Sequence, residues 1–259
     1  SEMCIRDRFH RMQEIGYDYI VTGHYARVEY DEKRDRYLLK KAVDDTKDQS
    51  YVLYMLTQEQ LAHVKLPLGG LRKDQVRVIA EKHGFINARK HDSQDICFVP
   101  DGDYAKFIEK YTGKKTPEGD FVDKEGNYIG RHKGIIHYTI GQRRGLGIPA
   151  ASRLYVCEIS PKTNTVVLGD NADLFSSELE ADSVNLISVD SLAEPKRVTA
   201  KIRYRHKEQP ATAWQTPDGI LHVKFDEPQR AITKGQAVVM YDGDEVVGGG
   251  VINKIYSQS

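Results

Sequence analysis

Long apolar runs are missing from this chain. No stretch of its 259 residues approaches the roughly 20 apolar positions that a membrane-spanning helix needs, and no secretory leader is visible at its start. Cysteine is scarce. Cys4, Cys97 and Cys157 lie far apart with no C-x-x-C pair, which argues against a disulfide scaffold or a cysteine zinc site and for a reducing compartment. Net charge is absent as well, since 38 Lys and Arg balance 38 Asp and Glu. Any hold on nucleic acid must therefore come from local patches. The chain does have 39% apolar and 29% charged residues, a balance that suits a folded cytoplasmic protein with no membrane partner. The length predicts two or three domains.

The first third reads as α/β. Ser1 to Arg8 shows no clear period and reads as foreign to the rest of the chain. A short helical pattern from Phe9 to Ile15 ends at Gly16, a C-cap residue. Tyr17 to Thr22 is a β-rich run that stops at Gly23-His24. Helix, glycine, buried strand and a second glycine is the grammar of a parallel sheet, whose ligands bind beyond the carboxyl ends of the strands. Gly23 would let a ligand approach the backbone, and His24 would face it. A hairpin with a charged tip is expected over 28–42. Asp44 to Ser50 then leads into an apolar helix over Tyr51–Leu56, with Asp48 or Ser50 as N-cap. Lys47 and Gln49 beside that helix start could meet a phosphate or a base. A second helix is expected over Leu71–His83, with Val76, Ile79 and Ala80 on one face.

The next landmark is Cys97. It sits between the polar turn Asp92-Ser93-Gln94-Asp95 and a short strand that Pro100 ends. A thiol at such a junction can be aimed into a cleft, although the local pattern suits a buried cysteine at least as well. A helix is expected over Asp103–Tyr111, and short strands with turn signals then dominate, including hairpin turns at Asn164-Thr165 and Asp242-Gly243. Cys157 is expected in the core. Two basic runs interrupt the neutral chain. Arg131 to Arg144 holds four cations and two histidines without an acid, and Lys196 to Lys207 holds six cations without one. Alternation puts Lys201, Arg203 and Arg205 on one strand face beside Tyr204. Cations with an aromatic neighbour suit a phosphate backbone and a stackable base.

Together these segments carry a resemblance. Tyr19 to Arg27, Lys47-Asp48-Gln49-Ser50-Tyr51, Asp92 to Phe98, His137 to Gly147, Phe225 to Pro228 and Gly248 to Ile252 resemble bacterial tRNA-specific 2-thiouridylases, in family order. The resemblance implies a partial PP-loop α/β domain of the adenine-nucleotide α-hydrolase type over 1–102, a small central domain over 103–170 and a C-terminal tRNA-binding β-barrel over 171–259. The helical stretch of about 65–85 is free to pack with the central domain. It implies an ATP-dependent sulfurtransferase that adenylates the C2 oxygen of the wobble uridine and replaces it with sulfur from a cysteine persulfide. Residue by residue, it implies that Cys97 bears the persulfide and Gly23 contacts ATP. His24, Lys47, Asp48, Gln49, Arg203, Tyr204 and Gln236 would lie against tRNA. The implied cofactor is ATP with Mg2+, no resident metal is expected, and the partners are tRNA and a sulfur donor such as a cysteine desulfurase or relay protein.

Two family features are missing. The S-G-G-x-D-S loop, whose backbone N–H groups cradle phosphates, does not occur in the 259 residues. Cys4 is out of register with the family's earlier cysteine and is given no role. The expectation is an N-terminally truncated chain, inactive alone in thiolation. A non-catalytic tRNA-binding protein and a different PP-loop sulfurtransferase remain open as alternatives.

Overall fold

The computed structural model describes residues 2–86, 88, 104–149 and 152–256. The chain divides into two compact units: residues 1–89, 177–227 and 234–256, and residues 90–176, 228–233 and 257–259. The Asp92–Phe98 segment, with Cys97, lies outside the described residues. Among the described residues, no helix is long and apolar enough to cross a membrane.

The first helix, α1 (Glu2–Glu14), starts earlier than the sequence period suggests. Ile5, Phe9 and Met12 recur on one helical face and are buried at 1%, 4% and 6% exposure. Ile5 belongs to the main core. Gly16 caps the helix: its N–H donates to Gln13, and the Tyr17 N–H reaches back to Met12.

Strand β1 (Ile20–Val21) leads to a hairpin of β2 (Ala26–Asp31) and β3 (Arg36–Lys41), paired from Ala26↔Lys41 to Asp31↔Arg36. Helix α2 (Ser50–Leu53) is shorter than expected. Next come α3 (Gln58–Ala62), which Thr57 and Gln60 hold in a reciprocal capping box, and β4 (Val64–Lys65). The expected parallel pairing exists, with Ile20 opposite Val64 on β1 and β4. Helix α4 (Lys73–Lys82) buries no residue, and Ile79 of its expected core face is 45% exposed.

In the second unit, α5 (Tyr104–Thr112) precedes β5 (Gly119–Val122), β6 (Tyr128–His132), β7 (Tyr155–Ser160) and β8 (Thr165–Gly169). They form one sheet in the order β6-β5-β8-β7, with β5 and β8 parallel. Phe121, Tyr138, Val156, Val166 and Leu168 fill its core. The buried ring of His132 is fixed at both nitrogens: Nδ1 accepts from the Gly134 N–H at 3.0 Å, and Nε2 donates to the Asn164 carbonyl at 3.1 Å. Cys157 departs from expectation. It is half-buried, since Val156 takes the inward position, and burial pushes its thiol up to about 11, with Asp173 adding to the shift.

The remaining strands are β9 (Phe175–Leu186), β10 (Lys196–Lys201), β11 (Gln209–Gln215), β12 (Leu221–Arg230), β13 (Ala237–Asp242) and β14 (Glu245–Tyr256). Their order β13-β10-β11-β12-β9-β14 closes into a barrel because β13 also pairs with β14. The fold is therefore α/β plus β, as the sequence predicts. Gly249 makes the closure possible: a side chain there would meet the Val238 carbonyl at 2.4 Å and the Tyr54 ring at 2.7 Å. The β2–β3 hairpin extends the barrel sheet through Lys40 opposite Glu245. Leu39, Leu53 and Leu56 share one core with Ile187, Val239, Tyr241 and Val246. Two side chains knit the α/β part to the barrel. Asn185 donates to the Tyr54 and Leu56 carbonyls at 2.6 and 3.0 Å. Gln58 donates to the Tyr37 and Ile187 carbonyls at 2.9 and 3.2 Å.

Candidate nucleic-acid interface

The end of β1 delivers Gly23 and His24. Gly23 is exposed, and a side chain there would make only an ordinary 3.6 Å contact with Leu68, so packing does not require glycine. His24 is half-buried with Nδ1 2.7 Å from Thr22 Oγ1. Burial lowers its pKa and the Arg8 charge adds to that, which favours the neutral ring at neutral pH.

The loop before α2 is held from within. Asp44 accepts from Thr46 Oγ1 at 2.6 Å and from the Lys73 N–H at 2.9 Å, and these bonds hold its carboxyl below the usual range. Asp48 accepts from the Ala42 N–H at 2.9 Å and from Ser50 Oγ at 2.7 Å. Its carboxylate is thus spent on the fold, and the N-cap position itself is taken by Gln49. Gln49 pairs with the backbone of Tyr25 in both directions: Oε1 accepts the Tyr25 N–H at 3.0 Å, and the Gln49 N–H donates to the Tyr25 carbonyl at 2.8 Å. That pairing sets Lys47-Asp48-Gln49 against Gly23-His24-Tyr25.

The barrel supplies the other side. Strand β10 ends at Lys201, and Arg203 and Arg205 lie in the turn after it, not along a strand face. Ile202 is fully buried and takes the chain inward, and the His206 N–H closes the turn onto the Arg203 carbonyl at 3.1 Å. Alternation fails there because pairing stops. The turn aims Tyr204 at the loop: Tyr204 Oη donates to the Asp48 carbonyl at 3.3 Å, and its ring centroid is 6.0 Å from that of Tyr51. Lys201 Nζ sits 5.8 Å from the Tyr51 ring and 6.0 Å from the Tyr204 ring. Burial raises the Tyr204 pKa, keeping the hydroxyl a donor, and Asp48 adds to the shift. Burial, helped by the Arg203 charge, lowers that of His206. Tyr51 Oη donates to the Ala237 carbonyl at 2.9 Å, beside the exposed Gln236.

The residues expected against tRNA are thus linked by a chain of direct contacts. His24 adjoins Tyr25, Tyr25 holds Gln49, Asp48 holds Tyr204, and Tyr51 links that aromatic pair to the Gln236 region. Sequence reasoning placed Lys201 in the cationic row but missed Tyr51 as part of this surface. Tyr51 reads as one apolar helix position among several, and its dual role depends on Tyr204, which is remote in sequence. The aromatic character of both was the available signal. Cys97 lies outside the described residues.

Comparison with known proteins agrees with the architecture. Family models described as a tRNA methyl transferase HUP domain, a tRNA methyl transferase PRC-barrel domain and an aminomethyltransferase beta-barrel domain match residues 3–101, 105–170 and 176–252. The chain is 56% identical over 248 residues to the tRNA-specific 2-thiouridylase MnmA of Clostridioides difficile, covering 96% of this chain and 69% of that protein. It is also 56% identical over 238 residues to the Acetivibrio thermocellus protein of the same name, covering 92% and 66%. The chain spans about two thirds of the length of these curated relatives. On the strength of these identities across nearly its whole length, the chain belongs to the tRNA-specific 2-thiouridylase family.

Proposed function

We propose that the surface joining Lys47-Asp48-Gln49 to Arg203-Tyr204 holds tRNA for 2-thiolation of its wobble uridine. The observation that carries this reading is the Tyr204–Asp48 bond with Lys201 lying over the Tyr51 and Tyr204 rings. Two segments remote in sequence meet here, bringing Lys47 of one and the cations of the other around the exposed Tyr204 ring, and such a pairing suits a phosphate backbone with a splayed base. Lys47, Lys201 and Arg203 supply charge, Tyr204 a stacking face, and His24 a neutral donor or acceptor near the base. Asp48 and Gln49 act mainly by holding the surface together.

In this reading Cys97 carries the transferable sulfur as a persulfide, whose terminal sulfur ionises readily and is the nucleophilic end. The family relatives bear on ATP, which would supply the activation of the C2 oxygen. The residues present do not fit its phosphates. The S-G-G-x-D-S pattern does not occur in the 259 residues, so no phosphate cradle is assigned among them. No adenylation step is assigned to this chain.

The test is fluorescence anisotropy of the 259-residue chain with tRNA across a KCl series. Arg203→Ala is expected to weaken binding and to lower the log–log salt slope by about 0.9, one phosphate contact. An unchanged slope with unchanged affinity would sink the reading. Mass spectrometry after incubation with a cysteine desulfurase and cysteine should add one sulfur at Cys97, and an unmodified Cys97 peptide would reject the persulfide role. The chain alone, given ATP, tRNA and sulfur donor, is expected to form no 2-thiouridine.

A further inference from the structure

The second unit holds a cationic feature that the tRNA surface above does not use. Of the first basic run, Arg131 is neutralised by Asp120 at 2.8 Å and His132 is buried. Arg143 and Arg144 are different. Both are exposed, and among the described residues no carboxylate pairs with either. The loop that carries them is rigidly framed. The Gly141 N–H donates to the Val156 carbonyl at 2.8 Å, and the Val156 N–H donates back to the Gln142 carbonyl at 2.9 Å. Gln142 clamps the turn from inside: Oε1 accepts the Thr139 N–H at 3.0 Å, and Nε2 donates to the Arg144 carbonyl at 3.0 Å. Gly141 and Gly145 take φ of 86° and 75°, a region that L side chains rarely adopt. The backbone geometry thus leaves the two arginines as the variable, outward elements.

A third guanidinium adjoins this loop. Arg230 lies 5.5 Å over the Tyr155 ring, and its Nε donates to Asn171 Oδ1 at 3.2 Å. Its Nη1 is so near Gly141 that a side chain there would approach it to 3.2 Å. Arg230 is exposed. Three guanidiniums at one pre-ordered loop, with no acid paired to them among the described residues, repel one another unless an anion meets them. Planar, bidentate donors are the form that phosphate oxygens favour.

We propose that the 139–147 loop with Arg230 is a second contact for the RNA phosphate backbone, separate from the Tyr204 surface. It rests on the tRNA reading, because it takes its ligand from there. Arg143 and Arg144 would each meet a phosphate, whereas Arg230, already held by Asn171 and Tyr155, would set the potential.

The experiment is anisotropy of the full chain with tRNA from about 50 to 200 mM KCl, a range over which phosphate contacts dominate the salt response. R143Q/R144Q is expected to lower the log–log slope by about 1.8, two contacts at about 0.9 each, and to weaken binding at least tenfold at the low-salt end. R143K/R144K, which keeps the charge, should retain most of the slope. A melting curve equal to the parent's separates lost charge from lost fold, and the single variant R143Q serves if the double variant melts early. Parent and R143Q/R144Q slopes that agree, while Arg203→Ala lowers its own, overturn this inference and leave the tRNA reading standing. A parent chain that does not bind tRNA overturns both.

Discussion

The two basic runs look alike as strings of letters and meet different fates along their length. In the second run the leading cations are used up by neighbours: Lys196 pairs with Asp242 at 2.7 Å and Arg197 with Asp226 at 2.7 Å, both across barrel strands. Its later members turn off the strand, and Lys201 meets tyrosines. In the first run Arg131 is paired on the sheet, while Arg143 and Arg144 ride a loop. On regular strands Arg131 and Lys196 find an acid on the adjacent strand and Arg197 finds one two strands away, whereas Arg143, Arg144, Arg203 and Arg205 lie beyond the ladder. Strand pairing brings remote acids alongside, so a charge run is neutralised in this way only as far as the ladder reaches.

The largest effects should come from removing the support beneath each region. Tyr51→Ala takes out a ring that is 7% exposed beneath Tyr204 and Lys201. It is expected to cost about 3–5 kcal/mol in urea unfolding and to abolish most tRNA affinity. Phe121→Ala, fully buried in the other unit, should cost about the same while leaving the Arg203-dependent part of the salt slope intact. Loss of that part would erase the distinction between the two regions.

Tyr204→Phe keeps the ring and deletes the bond to the Asp48 carbonyl. Tightness of tRNA binding should fall about two- to fivefold, the worth of one such bond, with the salt slope unchanged. A changed slope would mean that the bond positions a cation.

A pH series sharpens the same contrast. Burial lowers the pKa of both His24 and His206. A base with a depressed native pKa binds fewer protons folded than unfolded, so stability is full above the unfolded value of about 6.5 and falls as pH drops toward the native pKa. Urea midpoints should therefore decline from about pH 7 to about pH 5, and less so in His206→Asn. Equal declines would remove His206 from the account. The smallest effect belongs to a paired cation. Arg197→Ala should leave both the melting temperature and the tRNA salt slope as they were, because its partner Asp226 is solvent-exposed and such pairs are worth little.

Much of the architecture is legible in local pattern. The β2–β3 hairpin, the parallel strand ending at Gly23, α5 and the succession of barrel strands can all be read from period and turn residues. Other features are not. Helix α1 begins before Phe9 because Ile5 finds a core, and no local period announces that partner. Lys201, Arg203 and Arg205 alternate like a strand, yet β10 stops at Lys201 when the buried Ile202 turns the chain. Ile79 completes an apolar stripe on α4 and still lies exposed. For the candidate site, the sequence motifs name residues one by one, but the link from Gln49 to Tyr25 and from Asp48 to Tyr204 joins segments that no spacing rule connects.

Order along the chain was enough to establish the class of elements, the cations without local acids and the family likeness, because propensity, period and motif are properties of neighbouring residues. Folding in three dimensions settled the rest: Asp48 and Gln49 spend their side chains on the fold, Tyr51 and Tyr204 share a surface, and Arg131 finds an acid where Arg143 and Arg144 do not. Those outcomes depend on which remote strand or loop lies alongside, and that is set by burial of a common core rather than by any one segment.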